Sequence, residues 1–157
     1  MEQLAMLNRL NNFLSAIITP ASAQSRPEHT LQLATAVLLI EVMKSDADAA
    51  IQEQDEILKI LKEKFHLSDV EVTHLTELGH RTASAANDFH QFTSIINREL
   101  QPAEKIRIIE YMWQVAYADG KISAHENHLM RKISDLLYIS HRDYIAAKMR
   151  AKPADLE

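Results

Sequence analysis

Residues Tyr111–Ser140 read YMWQVAYADGKISAHENHLMRKISDLLYIS. An apolar stretch runs into Asp119-Gly120, and glycine suits the left-handed residue that closes a helix. Ile122 follows, and then Ser123-Ala124-His125-Glu126. In that capping-box pattern the serine oxygen accepts from the third amide of the new helix while the glutamate reaches back. Leu129, Ile133, Leu136 and Leu137 continue at helical spacing. The stretch ends on an aliphatic residue and Ser140, where Ser140-His141-Arg142-Asp143 starts another helix. It predicts a helix, a tight acidic break, a second helix and a third.

The same order occurs earlier. Residues Leu38–Ser68 read LLIEVMKSDADAAIQEQDEILKILKEKFHLS, again an apolar helix, an acidic break, an isoleucine, an acidic residue, an apolar helix and an aliphatic-Ser pair. One alignment pairs Asp48 with Asp119, Ile51 with Ile122 and Asp55 with Glu126. Aligning the preceding helices pairs Asp46 with Asp119 instead. Both registers stay open.

Working outward, Leu4, Leu7, Leu10, Leu14 and Ile17 predict an amphipathic helix over 2–18, followed by a linker through Pro27. A buried helix covers 28–45, with Leu33, Val37, Ile40 and Glu41 on one side. The next reaches Phe65, with Ile51, Leu58 and Leu61 in register. Ser68-Asp69-Val70-Glu71 is a second capping box, opening a helix to about Ser84. A further helix spans 87–99. Gln101-Pro102-Ala103-Glu104 then starts the helix whose inner stripe reads Ile106, Ile109, Trp113 and Ala116. Trp113 reads as core, and Phe65, Phe89 and Phe92 are the other aromatics that could form a binding box. The expected fold is all-α: a compact bundle of seven to eight helices with an internal helix–loop–helix pseudo-repeat, one domain over 1–157 with 28–150 as its core.

Composition narrows the function. The chain has 157 residues, two glycines and four prolines, a bias toward helix over sheet. A net charge of −5 argues against nucleic acid, which needs a dense cationic face. The absence of cysteine removes disulfides and thiolate metal sites and fits a cytoplasmic location. Ala21-Ser22-Ala23 resembles a signal-peptidase site, but the apolar run before it is too short. Leu31–Met43 carries Glu41 and is too short to span a bilayer, so no membrane insertion is expected.

Ala118–Glu126 reproduces the back half of a calcium-binding EF-hand loop, with Asp119, Gly120, Ile122 and Glu126 in place. The front ligand positions would be Val115 and Tyr117, which cannot coordinate a hard cation. In the first half Asp46, Asp48 and Asp55 fall at ligand positions, but Lys44 occupies the first. An EF-hand is therefore not expected in either half. His125 and His128 stand three apart rather than in the His-Glu-x-x-His spacing, and His74, His80 and His90 are irregular. No nucleophile triad or glycine-rich phosphate loop appears, so no enzymatic activity is expected.

The string from Tyr111 to Ser140 resembles the signature of the TerB-like (tellurite-resistance) family, and Phe92–Leu100 (FTSIINREL) followed by Pro102-Ala103-Glu104 and Trp113 is similar to one bacterial branch of it. The similarity covers about residues 30–150. It implies a compact α-helical protein of the kind found in tellurite and stress-resistance systems, or joined to a membrane-anchored DnaJ-type co-chaperone. It also implies an acidic face near the Asp-Gly loops as the place for a divalent cation: calcium, magnesium, manganese or zinc. Carried over, the metal candidates are Asp46, Asp48, Asp55, Asp119 and Glu126. Ala47 and Ala49 depart from the family pattern, in which glycine is usual. The expected function is a non-enzymatic accessory protein of bacterial stress response with an unidentified protein partner, compatible with a homo-oligomer. The alternative is a pure interaction module whose acids are structural caps and turns. A metal-dependent hydrolase has the least support.

Overall fold

A helix that is apolar around its whole circumference has to be covered on all sides, and the segment PEHTLQLATAVLLIEVMK is such a helix. In the computed structural model, which describes residues 27–44, 51–80, 89–120 and 123–154, it forms α1 (Pro27–Lys44). Every residue from Leu33 to Met43 is buried. The expected side of Leu33, Val37, Ile40 and Glu41 is therefore one part of a helix enclosed throughout. Thr35 removes its polarity from this environment by donating to the Leu31 carbonyl at 2.7 Å.

Six more helices follow among the described residues: α2 (Ile51–Phe65), α3 (Asp69–His80), α4 (Phe89–Glu99), α5 (Pro102–Asp119), α6 (Ala124–Leu136) and α7 (His141–Ala151). The fold is all-α, as the sequence predicts. The helix expected over 2–18, its linker as far as residue 26 and the continuation of α3 past His80 lie outside the described residues, and Pro27, expected to end the linker, instead opens α1.

The halves α1–α2–α3 and α5–α6–α7 repeat in three dimensions. The first helix of each half packs on the third, as α1 on α3 and α5 on α7. The two first helices pack on each other, and each also meets the second helix of the other half, as α1 on α6 and α2 on α5. Helix α4 lies between the halves in sequence and packs on α6 and α1.

The aliphatic-Ser pairs explain themselves as turns. His66 and Tyr138 take positive φ (53° and 59°), ending α2 and α6 in the left-handed conformation. The next amides reach back, Leu67 to the Lys62 carbonyl at 3.3 Å and Ile139 to Ser134 at 3.0 Å. This is the Schellman arrangement, with its aliphatic residue folded inward. Both Leu67 and Ile139 are buried. Ser68 and Ser140 then cap the following helices, accepting from Glu71 N at 3.2 Å and Asp143 N at 3.1 Å. At Ser68 the return arm is present too, the serine amide donating to Glu71 Oε1 at 2.7 Å. Gln101 N donates to Glu104 Oε1 at 2.8 Å, opening α5.

The stripe of α5 differs from expectation. Ile106 and Ala116 are only partly buried, and Ile108, Ile109, Met112, Trp113 and Val115 form the covered surface. The reason is that α5 is held between α1 on one side and α7 on another, so its apolar surface is wider than a single stripe. Trp113, Phe65, Phe89 and Phe92 are all core residues, at most 2% exposed.

Polar links fix the helices against one another. Tyr111 and Arg107 of α5 both donate to Glu28 Oε1 on α1. His29 Nε2 lies 2.8 Å from Glu71 Oε2, joining α1 to α3. Asn97 Nδ2 donates to the Leu136 carbonyl at 2.9 Å, supplying an end-of-helix acceptor with a partner. Lys105 Nζ donates in turn to Asn97 Oδ1 at 3.1 Å, which accounts for a buried lysine.

Candidate functional site

The Asp-Gly break is built by two terminations. Gly120 sits at φ 76° and its amide donates to the Ala116 carbonyl at 3.1 Å, closing α5. Ser123 then accepts from Glu126 N at 3.0 Å, opening α6. Because α5 stays helical through Asp119 and Val115 is buried, what would be the front half of an EF-hand loop is helix. Tyr117 stacks beside Trp113 at 6.1 Å instead of facing an ion.

Asp119 and Glu126, at the two ends of this break, line one recess of about 20 Å³. Its remaining walls are apolar and include Leu39, Met43, Ile57 and Met130. That volume is on the scale of a single water or ion. Asp55 stands exposed on α2, and Ile57 is the α2 residue that lines the recess. Asp46 and Asp48 lie outside the described residues. Among the described residues no group of three His, Asp or Glu side chains converges.

The caps give a reason for the position of Asp55. Matching Ser68 with Ser140 and counting back along the helices puts Glu126 opposite Gln54 and Asn127 opposite Asp55. In this register the half-buried positions are Gln54 and Glu126, and Asp55 shares an exposed position with Asn127.

A second recess, which the sequence reading did not assemble, opens between α6 and α7. It measures about 320 Å³ and is lined by Asn127, His128 and Arg131 from α6 and by His141, Tyr144 and Lys148 from α7, with Ala124 and Ile145 at its sides. The residues recur at helical spacing on both helices, which was the available signal. Only the pairing of two helix faces turns it into a cleft. Arg131 Nη2 approaches His141 Nδ1 at 3.4 Å, and Lys148 Nζ sits 4.8 Å from the centre of the Trp113 ring. Burial pushes the Tyr144 hydroxyl above its ordinary pKa; Arg131 opposes the shift and Asp135 adds to it. The Tyr144 hydroxyl and Trp113 Nε1 are both buried without a hydrogen-bond partner among the described residues.

The fold and the break together define a class: a duplicated helix–loop–helix protein with an acidic Asp-Gly turn between its core helices. The model of the family described as tellurite resistance protein TerB matches residues 32–149. The chain belongs to that family. No curated protein and no solved structure gives a significant match. Among the described residues no helix is long and apolar enough to cross a membrane.

Proposed function

We propose that this chain is a non-enzymatic accessory protein of a bacterial tellurite-resistance or stress response, acting by binding, with a divalent cation held at Asp119 and Glu126. The observation that carries this reading is that the two carboxylates share one ion-sized recess with otherwise apolar walls. Like charges brought together at such a surface repel, and a cation relieves the repulsion. All candidate donors are carboxylate oxygens, which suit calcium, magnesium or manganese better than zinc. Asp46 and Asp48, the other candidates from the sequence, lie outside the described residues. Asp55 is exposed on α2 and is not among the residues that line this recess.

The test is thermal melting of wild type and Asp119→Asn in chelator and in millimolar calcium, magnesium, manganese or zinc. The asparagine keeps the shape of the side chain and removes its charge. On this reading the variant equals or exceeds wild type in chelator and gains nothing from ion. Wild type at about a hundred times the dissociation constant gains roughly 2.7 kcal/mol. Identical wild-type melts with and without every ion would remove the cation.

The second reading is a pure protein-interaction module whose acids are structural. It is favoured by the two ends of the break, where Gly120 closes α5 and Ser123 caps α6 through hydrogen bonds within the protein. Under it, wild type shows no ion dependence and Asp119→Asn costs a little stability in every buffer.

A further inference from the structure

In the first half of the repeat α2 and α3 pack on each other, with Lys62 Nζ 3.0 Å from Asp69 Oδ1 across the pair. Their counterparts α6 and α7 do not close in the same way, and the 320 Å³ cleft occupies the space between them. The cap register shows how the chemistry changed. Lys59 corresponds to Arg131, but the carboxylates Glu56 and Asp69 correspond to His128 and His141, and Thr76 corresponds to Lys148. A face of mixed charge in one half has become one lined by Arg131, Lys148 and two histidines, with no carboxylate among the lining residues.

We propose that this cleft binds a small oxyanion, a phosphate or a chemically similar group. Four observations meet there. Neither Arg131 nor Lys148 forms an ion pair with a carboxylate among the described residues, although the chain as a whole carries net −5. Cationic groups that line one cleft without a carboxylate repel one another, and an anion between them removes that cost. The first residues of α6 and α7, Ala124 and His141, both line the cleft, so two helix N-termini add their partial positive charge. Tyr144 lines the cleft, and its buried hydroxyl has no hydrogen-bond partner among the described residues. A tyrosine hydroxyl is protonated at neutral pH, and burial shifts this one further in that direction, so it is a donor. The volume sits at the lower end of small-molecule sites, enough for an oxyanion or a small phosphate ester and too little for a nucleic-acid strand. Guanidinium and ammonium groups are the side chains that recognise such oxygens.

This inference does not depend on the cation reading, because Asp119 and Glu126 line a different recess. The test is titration of the ¹⁵N-labelled full chain with inorganic phosphate and, separately, with tellurite. Sodium chloride at matched ionic strength is the control. Saturable shifts confined to Ala124–Arg131 and His141–Lys148 are expected with at least one of the two anions. Arg131→Gln should weaken that binding roughly tenfold or more, and Arg131→Gln with Lys148→Gln should abolish it. Because Lys148 also covers Trp113, the single Arg131 variant decides the matter if the double variant unfolds. Asp119→Asn should leave the titration unchanged. Saturation by tellurite would make the cleft part of the resistance chemistry, and saturation by phosphate alone would point to a phosphorylated cellular compound. The proposal is overturned if neither anion saturates, if chloride reproduces the shifts, or if folded Arg131→Gln binds as wild type does.

Discussion

Gly120 holds φ at 76°, a conformation that costs an L-residue roughly 1–2 kcal/mol. A Cβ placed there meets nothing within 4 Å, so the cost of substitution lies in the backbone and not in a clash. Gly120→Val should therefore lower stability by at least that amount, β-branching making the region still less accessible. The urea midpoint should fall with the slope unchanged, and an unaltered midpoint would refute the assignment. Glu71 gives a pH signature. Burial raises its pKa, but hydrogen bonds from the Ser68 amide, His29 and the Ser68 hydroxyl outweigh burial and hold it below its ordinary value. The unfolded chain then binds a proton more readily than the folded one. This contribution is complete above the usual carboxylate range and is lost as pH falls through the lowered value. Glu71→Gln should flatten the acid limb of a stability–pH curve, and two parallel acid limbs would count against it. At this scale the sequence was legible wherever a residue acts on its own backbone, as Gly120, Ser68, Ser123 and Ser140 do. His29 against Glu71 was not, because nothing local encodes contact across more than forty residues of chain.

The caps and left-handed turns join one helix to the next and belong to the scale of elements. Ser68→Ala and Ser123→Ala should each cost roughly 1 kcal/mol. Hydrogen exchange should accelerate in the first turns of α3 and α6, and unchanged exchange there would dismiss the caps. Helix positions were readable because breaks, caps and apolar spacing are local. The covered face of α5 is wider than the expected stripe, since it depends on two neighbours at once: Ile106 and Ala116 pack at its edge, and Ile108, Met112 and Val115 join Ile109 and Trp113. The cationic cleft escaped for a related reason. His128 and Arg131 on one helix, and His141 and Lys148 on another, become one surface only when the crossing of α6 and α7 is known. The acidic residues were legible as a set, and among the described ones Asp119 and Glu126 line a common recess. Asp55 takes an exposed position in the register of α2, the one Asn127 takes on α6.

At the scale of the whole molecule α1 is the shared partner, packing on α2, α3, α4, α5 and α6. Leu38, completely buried on it, should cost about 2–5 kcal/mol when replaced by alanine. Loss of cooperativity in one half alone, with the other melting as in wild type, would contradict a common core. Helix α7 is placed differently, resting chiefly on α5. There it covers Trp113, with Tyr144 at 5.7 Å and Lys148 at 4.8 Å from the indole. Trp113 is the single tryptophan of the chain. The protein thus carries its own optical gauge: emission from this one indole reports whether α7 is seated. Lifting that helix would admit water and redden the fluorescence before the centre of the bundle gives way.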